Sequence, residues 1–554
     1  MRIKIACALL VAVSVAARQP ERAKHAMVVV QEPLAADVGL RVLQSGGNAM
    51  DAAVAIGFAL AVTYPFAGNI GGGGFLLARF ADGRSTFIDF REKAPLAATR
   101  NMYLDSKGNV TQDSIVGWRA AGVPGTVRGL ELAHRKYGQK PWAELLNPAI
   151  ELASEGYPVS YSFDASLHAA ARTLSQFPES KRVFLDTVHY GEKFVQPDLA
   201  ATLKRIRDRG PSDFYEGETA QKLAAAMAAH DGLITLADLK AYQAVESDPL
   251  RGHYRGYEIV TAPSPSAGGV GLLQMLGMLE GSGYEKGGAG SAASIHYVAE
   301  VMRRFYADRS EYFGDPDFFK SPISKLLDPK YIASRRASID PLHATPSSQI
   351  RPGHLDIREG TETTHFNVVD SQGNAVAVTY TLNDGYGSGV TAPGLGFLLN
   401  DEMDDFAAKP GAENMFHLIQ GASNAIEPGK RPVSSMTPTI VLREGQFFLM
   451  LGAPGGSRII NGVLQVFLNV ADFHMNVQDA VDWPRFHHQW MPDMLYVERG
   501  ISPDTVRILQ GMGHKVSPLE GISPVIARVE AILNDGGWLQ GATDSRGNGK
   551  AEGY

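Results

Sequence analysis

Between residues 363 and 383, polar and apolar positions alternate in two runs that mirror each other across Ser371-Gln372-Gly373. A period of two marks strands with two unlike faces. A three-residue turn with glycine at its left-handed position joins such strands into a hairpin. The pattern predicts strands over Thr363–Asp370 and Asn374–Asn383. With Asp370 facing Asn374 and Val369 facing Ala375, counting outward sets Thr363 opposite Thr381. One face then carries Thr363, His365, Asn367, Thr379, Thr381 and Asn383, and the other Phe366, Val368, Val376, Val378, Tyr380 and Leu382. A one-residue slip would set the polar row of one strand against the apolar row of the other, so the pattern specifies the register. Hydroxyls, an imidazole and amides are thereby gathered around one threonine. A half-exposed hairpin with a polar outer face would account for the same alternation.

Upstream the period changes to that of helices. Pro33 to Ser45 is helical in pattern, with proline in the first turn and Gly46-Gly47 as the stop. Asn48 caps a second predicted helix, Ala49 to Thr63, which is apolar nearly all round and therefore buried. Ile70 and the glycines to Gly74 lead into a predicted strand, Phe75–Phe80. A phosphate loop would need a Gly-Lys-Ser/Thr ending that is missing, which leaves a tight turn. Residues 125–245 read as amphipathic helix broken at Gly156-Tyr157-Pro158 and Gly210-Pro211, closing with Leu236–Tyr242. A strand over Tyr254–Val260, an exposed loop over 282–292 and a helix over Ser294–Phe313 follow. The stretch 340–362 has little periodicity and several prolines, reads as a linker, and ends at Glu362-Thr363. Beyond it strands dominate, with a strand at Phe447–Leu451 and helices near 458–470 and 476–482.

Composition narrows the class. The 554 residues are 44% hydrophobic and 20% charged, as in ordinary globular proteins. A net charge of −7 without a basic block argues against a nucleic-acid partner. Met1 to Lys4 is basic, and Ile5 to Ala17 is an apolar run too short to span a bilayer, ending in small residues. This is the pattern of a secretory signal peptide, residues 1–17, cleaved near Ala17. The single cysteine, Cys7, lies inside it, so the mature chain would have neither disulfide nor thiol chemistry. No later apolar run reaches membrane-spanning length. The expectation is a periplasmic or secreted protein.

Several segments together resemble the γ-glutamyltransferase (γ-glutamyltranspeptidase) family of N-terminal-nucleophile hydrolases. They are Ser45 to Val54, Gly71 to Phe75, Asp89 to Glu92, Gly122 to Gly125, Thr363-Thr364-His365, Asn400 to Phe406, Lys430 to Met436, Pro454 to Ser457 and Pro484 to His488. Each is weak alone; in order, nearly end to end, they are specific. The resemblance implies an α+β fold, a four-layer αββα sandwich. It also implies a precursor that cuts itself at Glu362–Thr363 into a large subunit (18–362) and a small one (363–554). The freed threonine would carry its own base, an α-amine of pKa about 7.7–8.0.

Carried onto this sequence, the resemblance makes Thr363 the nucleophile, Thr381 the residue that orients it, and Gly455 and Gly456 the oxyanion hole. One such donor is typically worth about 2.7–4 kcal/mol. Arg91 would hold the substrate α-carboxylate with Ser434 and Ser435, and Asp405, Glu402 and Asn383 the α-ammonium. Taken by itself, Arg91 would instead read as a surface ion pair with Asp89 or Glu92. Pro410 to Gly421 resembles a lid loop, with Phe416 where an aromatic, often tyrosine, closes over substrate; phenylalanine there can stack but cannot donate a phenolic hydrogen bond. His487-His488 invites a metal reading, but neighbours on a strand face opposite ways, and packing or supporting hydrogen bonds is the expectation. No metal or cofactor is implied. The implied substrates are glutathione and other γ-glutamyl compounds, with water, amino acids or peptides as acceptors. The alternatives are a cephalosporin acylase, a poly-γ-glutamate hydrolase/transferase, or a processing-dead γ-glutamyl binding protein.

Overall fold

The computed structural model describes residues 18–351, 362–409, 421–519 and 525–554. The predicted signal peptide, the upper end of the linker and Phe416 lie outside them. Two seven-stranded antiparallel sheets stack face to face. The first runs, edge to edge, Lys550–Gly553, Met27–Val30, Glu362–Val369, Ala375–Asn383, Gly73–Arg79, Ser85–Asp89 and Val245–Ser247. The second runs Glu21–Ala23, Trp538–Ala542, Glu530–Asp535, Gln446–Gly452, Thr439–Arg443, Tyr257–Thr261 and Leu250–Tyr254. Helices Pro33–Gln44, Ala49–Thr63 and Thr126–Tyr137 cover the outer side of the first sheet. Gly268–Leu279, Ala292–Tyr312 and Arg458–Ala471 cover that of the second. The order helix, sheet, sheet, helix is the expected αββα sandwich. Among the described residues no helix is long and apolar enough to cross a membrane.

The Ala49–Thr63 helix is buried along its whole length. Its capping box pairs the Asn48 side chain with the Asp51 N–H and the Asp51 side chain with the Asn48 N–H. Its first N–H, from Ala49, also donates to Asp370 Oδ2 at 2.9 Å. The other Asp370 oxygen accepts from the N–H groups of Gln372 (3.0 Å) and Asn374 (2.9 Å), closing the hairpin turn in which Gly373 has φ +87°. One carboxylate thus ties a helix start to a turn.

The hairpin has the expected register from Val369↔Ala375 to Thr364↔Tyr380. Beyond that a bulge intervenes, because Glu362 pairs with Asn383, leaving one extra residue on the second strand beside Thr363. The strands run Glu362–Val369 and Ala375–Asn383. The apolar row enters the core beneath the helices. The polar row is not half-exposed: Thr363, His365, Asn367, Thr379, Thr381 and Asn383 are all buried, facing the second sheet.

Other expectations need correction. Tyr254–Val260 is not one strand: Arg255 (φ +46°) and Gly256 (φ +86°) form a turn inside it, a turn with no Asn-Gly signature to announce it. The 282–292 loop contains a 3-10 turn at Tyr284–Gly287. Tyr284 there is buried, its hydroxyl 2.6 Å from Asp472 Oδ2. The break at Tyr157-Pro158 pairs with Lys193–Phe194 as a short ribbon.

Gly71 to Gly74 is more than a tight turn. None of the four has positive φ, and Gly73 and Gly74 already belong to a strand. What they lack is a Cβ: one added at Gly72 would lie 2.0 Å from the Thr381 carbonyl oxygen, and one at Gly71 2.1 Å from that of Leu398. The run lets backbones meet where a side chain would part them. Gly72→Ala should therefore push on Thr381 and cost about 1–3 kcal/mol of stability. Urea denaturation would read this, and an unchanged midpoint would remove the close approach as the reason for glycine.

Candidate active site

The floor of the site is the open end of the hairpin. Thr363 and Thr381 are 4% and 2% exposed, with their Oγ1 atoms 3.4 Å apart, at the long end for hydroxyls. The Asn383 N–H donates to Thr381 Oγ1 at 2.8 Å. Asn383 sits at φ +81°, a left-handed conformation that asparagine tolerates better than most. Asn69 Nδ2 holds the Thr381 carbonyl at 2.7 Å, so backbone and hydroxyl are both pinned. Asn383 spends an amide donor on the Asp401 carbonyl (3.1 Å), and its Oδ1 is the group that could accept from a ligand.

The roof comes from the second sheet. The Gln446–Gly452 strand runs through Ala453 and Pro454 into Gly455 (φ +133°) and Gly456 (φ +54°), where the 14-residue helix Arg458–Ala471 begins. A helix start offers unpaired N–H groups and a positive dipole end. A Cβ on Gly455 would lie 2.9 Å from Ala527 Cα. Behind this turn, buried Arg485 donates to the carbonyls of Ile526 (3.0 Å) and Ala527 (3.1 Å) and pairs with Asp544 at 2.8 Å. Gly456 lines the pocket with Thr363, while Gly455 packs behind it against Ala527.

The far end is charged. Arg91 is 1% exposed, not a surface residue, and its guanidinium pairs with Glu402 and Asp405, with Glu92 3.7 Å away. It also donates to the Val433 carbonyl at 3.0 Å. Asn400 supports Glu402 by accepting its N–H (3.0 Å) while donating to the carbonyls of Gly71 and Gly122 (both 2.8 Å). Burial pushes the Glu92 carboxyl up to about 7 and Glu402 well above the ordinary glutamate range, with Arg91 opposing in both. Ser434 Oγ accepts the Met436 N–H at 3.2 Å, and Ser435 Oγ lies 3.4 Å from an Arg309 nitrogen. Together these groups line one small pocket, shared by the hydroxyl pair and the ion cluster.

His487 and His488 turn to different partners. His487 contacts Asn461 and Gln489, both at 2.8 Å, and His488 Nδ1 accepts the Trp490 N–H at 3.0 Å. Among the described residues no group of His, Cys, Asp and Glu is placed to hold a metal.

A family model described as gamma-glutamyltranspeptidase matches residues 35–554. The chain belongs to this family. A glutathione hydrolase proenzyme of Pseudomonas sp. (strain A14) is 48% identical over 563 residues, covering 99% of this chain and 98% of that protein. Its counterpart in Escherichia coli (strain K12) is 47% identical over 532 residues, covering 95% and 91%. A solved structure of cephalosporin acylase from Bacillus halodurans superposes with a TM-score of 0.85 at 28% identity, covering 97% of this chain and 98% of that one.

In this γ-glutamyltranspeptidase-family chain the pocket brings together nine of the residues singled out from sequence: Thr363, Thr381, Gly456, Arg91, Asn383, Glu402, Asp405, Ser434 and Ser435. Sequence reasoning passed over Ile459, Met436, Arg309 and the part played by Glu92. Met436 and Glu92 close motifs already noticed, and Ile459 lies in the first helical turn after the glycines. Arg309 carries no local signal.

The raised Glu92 carboxyl makes stability depend on pH. Between its ordinary 4.5 and about 7 the folded chain holds a proton that the unfolded chain has released. Stability should therefore fall as pH rises through that window. Glu92→Gln, which carries no titrating group, should flatten the fall. Urea midpoints at about pH 5, 6 and 7 would test this; identical slopes would take Glu92 out of the proton-holding cluster.

Proposed function

We infer that the chain is a self-processing γ-glutamyltransferase with glutathione hydrolase activity, made for export as a precursor. The observation that carries the reading is a buried threonine hydroxyl sharing a small pocket with a buried Arg–Glu–Asp cluster; near full-length relatives that bear the name glutathione hydrolase proenzyme support it. The precursor is cut at Glu362–Thr363, leaving a large subunit, 18–362, and a small one, 363–554, interleaved in one sandwich. In the first sheet the Met27–Val30 strand of the former lies beside the Glu362–Val369 strand, so separation would tear the sheet.

Thr363 then serves as nucleophile and base at once. Its freed α-amine takes the hydroxyl proton near neutral pH. The oxygen attacks the γ-carbonyl carbon, and the oxyanion is met by N–H groups of the Gly455-Gly456 turn. Collapse expels the amine half of the substrate with a proton, leaving a γ-glutamyl ester on Thr363. Water or an acceptor amine then breaks the ester and restores the hydroxyl. Thr381, pinned by Asn383, orients the attacking oxygen.

Recognition follows from charge pairing. Arg91 lies against Glu402 and Asp405. A zwitterionic α-amino acid head can enter that pair with its carboxylate on Arg91, beside Ser434 and Ser435, and its ammonium on Asp405, Glu402 and Asn383. Every buried charge keeps a partner, and an unpaired buried charge is costly. The acylase reading, which the Bacillus halodurans likeness raises, fits less well. A glutaryl group brings the carboxylate without the ammonium and would strand the acidic pair.

Denaturing mass spectrometry of the purified protein should find two chains, one beginning Thr363-Thr364-His365-Phe366, and Thr363→Ala should abolish both cutting and turnover. A single uncut wild-type chain that hydrolyses γ-glutamyl amides would overturn the nucleophile assignment. Asp405→Asn should raise KM for substrates with a free α-amine roughly tenfold to a hundredfold, with a far smaller effect on deaminated analogues. Equal losses on both would remove Asp405 from the ammonium site.

A further inference from the structure

Thr363 belongs to one sheet and the Gly455-Gly456 turn extends the other. The reach from nucleophile to oxyanion donors is therefore a spacing between layers, and His365 occupies that gap. It lies two residues from Thr363 on the same face and is fully buried. A Cβ built on Gly452 would come within 2.3 Å of the imidazole Cε1, so the ring rests on a bare Cα. Gly452 is the last residue of the strand that leads into the glycine turn.

The ring's hydrogen bonds are determined one by one. Asn367 Nδ2 donates to the Glu530 carbonyl at 2.8 Å. Its Oδ1 is then the acceptor for His365 Nε2–H at 3.0 Å. Nδ1 is the lone-pair nitrogen and accepts from the Thr379 hydroxyl at 2.8 Å. Burial also pulls His365 down to about 3, so the ring is neutral at ordinary pH. Its one lone pair is committed to Thr379, which leaves it no role as a base for Thr363. Glu530 is the cross-strand partner of Gly452 in the second sheet. His365 and Asn367 thus grip both members of one residue pair on the opposing layer.

From this geometry we propose that His365 is a positioning residue for the reaction at Thr363: its ring, seated on Gly452, sets the spacing between the threonine strand and the strand that carries the glycine turn. The proposal takes its reaction, though not its geometry, from the γ-glutamyl reading above. A displacement of about 1 Å at reacting groups can cost on the order of a hundredfold in rate.

The test is a double-mutant cycle on the processed enzyme with γ-glutamyl p-nitroanilide. Gly452→Ala should lower kcat by about a hundredfold while leaving KM within about twofold, since the Arg91 end is untouched. His365→Ser should also lower kcat. The double variant, in which the new methyl enters space the ring has left, should recover about tenfold over Gly452→Ala alone, a coupling of the size contacting residues show. Losses that simply multiply, or that fall on KM, would overturn the proposal. If Gly452→Ala does not fold, His365→Gln against His365→Ser decides. Glutamine can keep a donor toward Asn367 and most of the width, so it should hold kcat about tenfold above serine; equal losses would overturn the idea. Wild-type enzyme in the same assay separates the two claims: no turnover there sinks the γ-glutamyl reading, whereas normal turnover with uncoupled variants sinks only the role of His365.

Discussion

A row of polar side chains is buried between two sheets, and each member needs a partner there. The hairpin strands Glu362–Val369 and Ala375–Asn383 lie inside the first sheet, with helices on one side and the second sheet on the other. An unpaired buried polar group costs roughly 1–3 kcal/mol, so the row is stable only because its members bond in sequence. Thr379 bonds His365, His365 bonds Asn367, and Asn367 bonds the Glu530 carbonyl. Those bonds fix where Thr363 stands relative to the opposite sheet. The same constraint explains why the strand pair tolerates no slip: moving one residue would bury Phe366 and Val368 against these polar groups and drive the imidazole into the helix-side core.

At the other end of the pocket the constraint is charge. Arg91, Glu92, Glu402 and Asp405 come together in a space with almost no solvent exposure. One cation cannot balance three carboxylates, and burial answers by raising Glu92 and Glu402 toward the protonated state. A site that retains protons and pairs its charges internally is matched to a ligand carrying both signs on one carbon. Under the proposed reading, the preference for an α-amino acid head is a property of the whole cluster, not of Arg91 alone.

Glycines join the two ends. At Gly72 the missing Cβ admits the Thr381 carbonyl, at Gly452 it admits the His365 ring, and at Gly455 positive φ and contact with Ala527 shape the turn. At Gly72 and Gly452 absent atoms on one segment allow a group on another to take its position.

Local order was written plainly in the chain. The helix over Ala49–Thr63 with its Asn48 cap, the hairpin and most of its register, the turn at Gly373 and the helix after Gly456 all follow from periodicity, capping and turn chemistry, which act between near neighbours in sequence. The motifs likewise named most residues of the pocket. Tertiary structure alone decided the rest. The bulge at Thr363 lies where Asn69 holds the Thr381 carbonyl and Asn383 donates to that of Asp401, contacts between segments that no local pattern announces. The burial of the polar hairpin face depends on a second sheet assembled from segments as far apart in the chain as Glu21–Ala23 and Trp538–Ala542, and alternation by itself cannot say whether water or protein lies on that side. The burial of Arg91 and the joining of Glu92 and Arg309 to the site were invisible for the same reason. Periodicity reports which face a side chain takes, whereas desolvation and charge pairing depend on what the rest of the chain brings to that face.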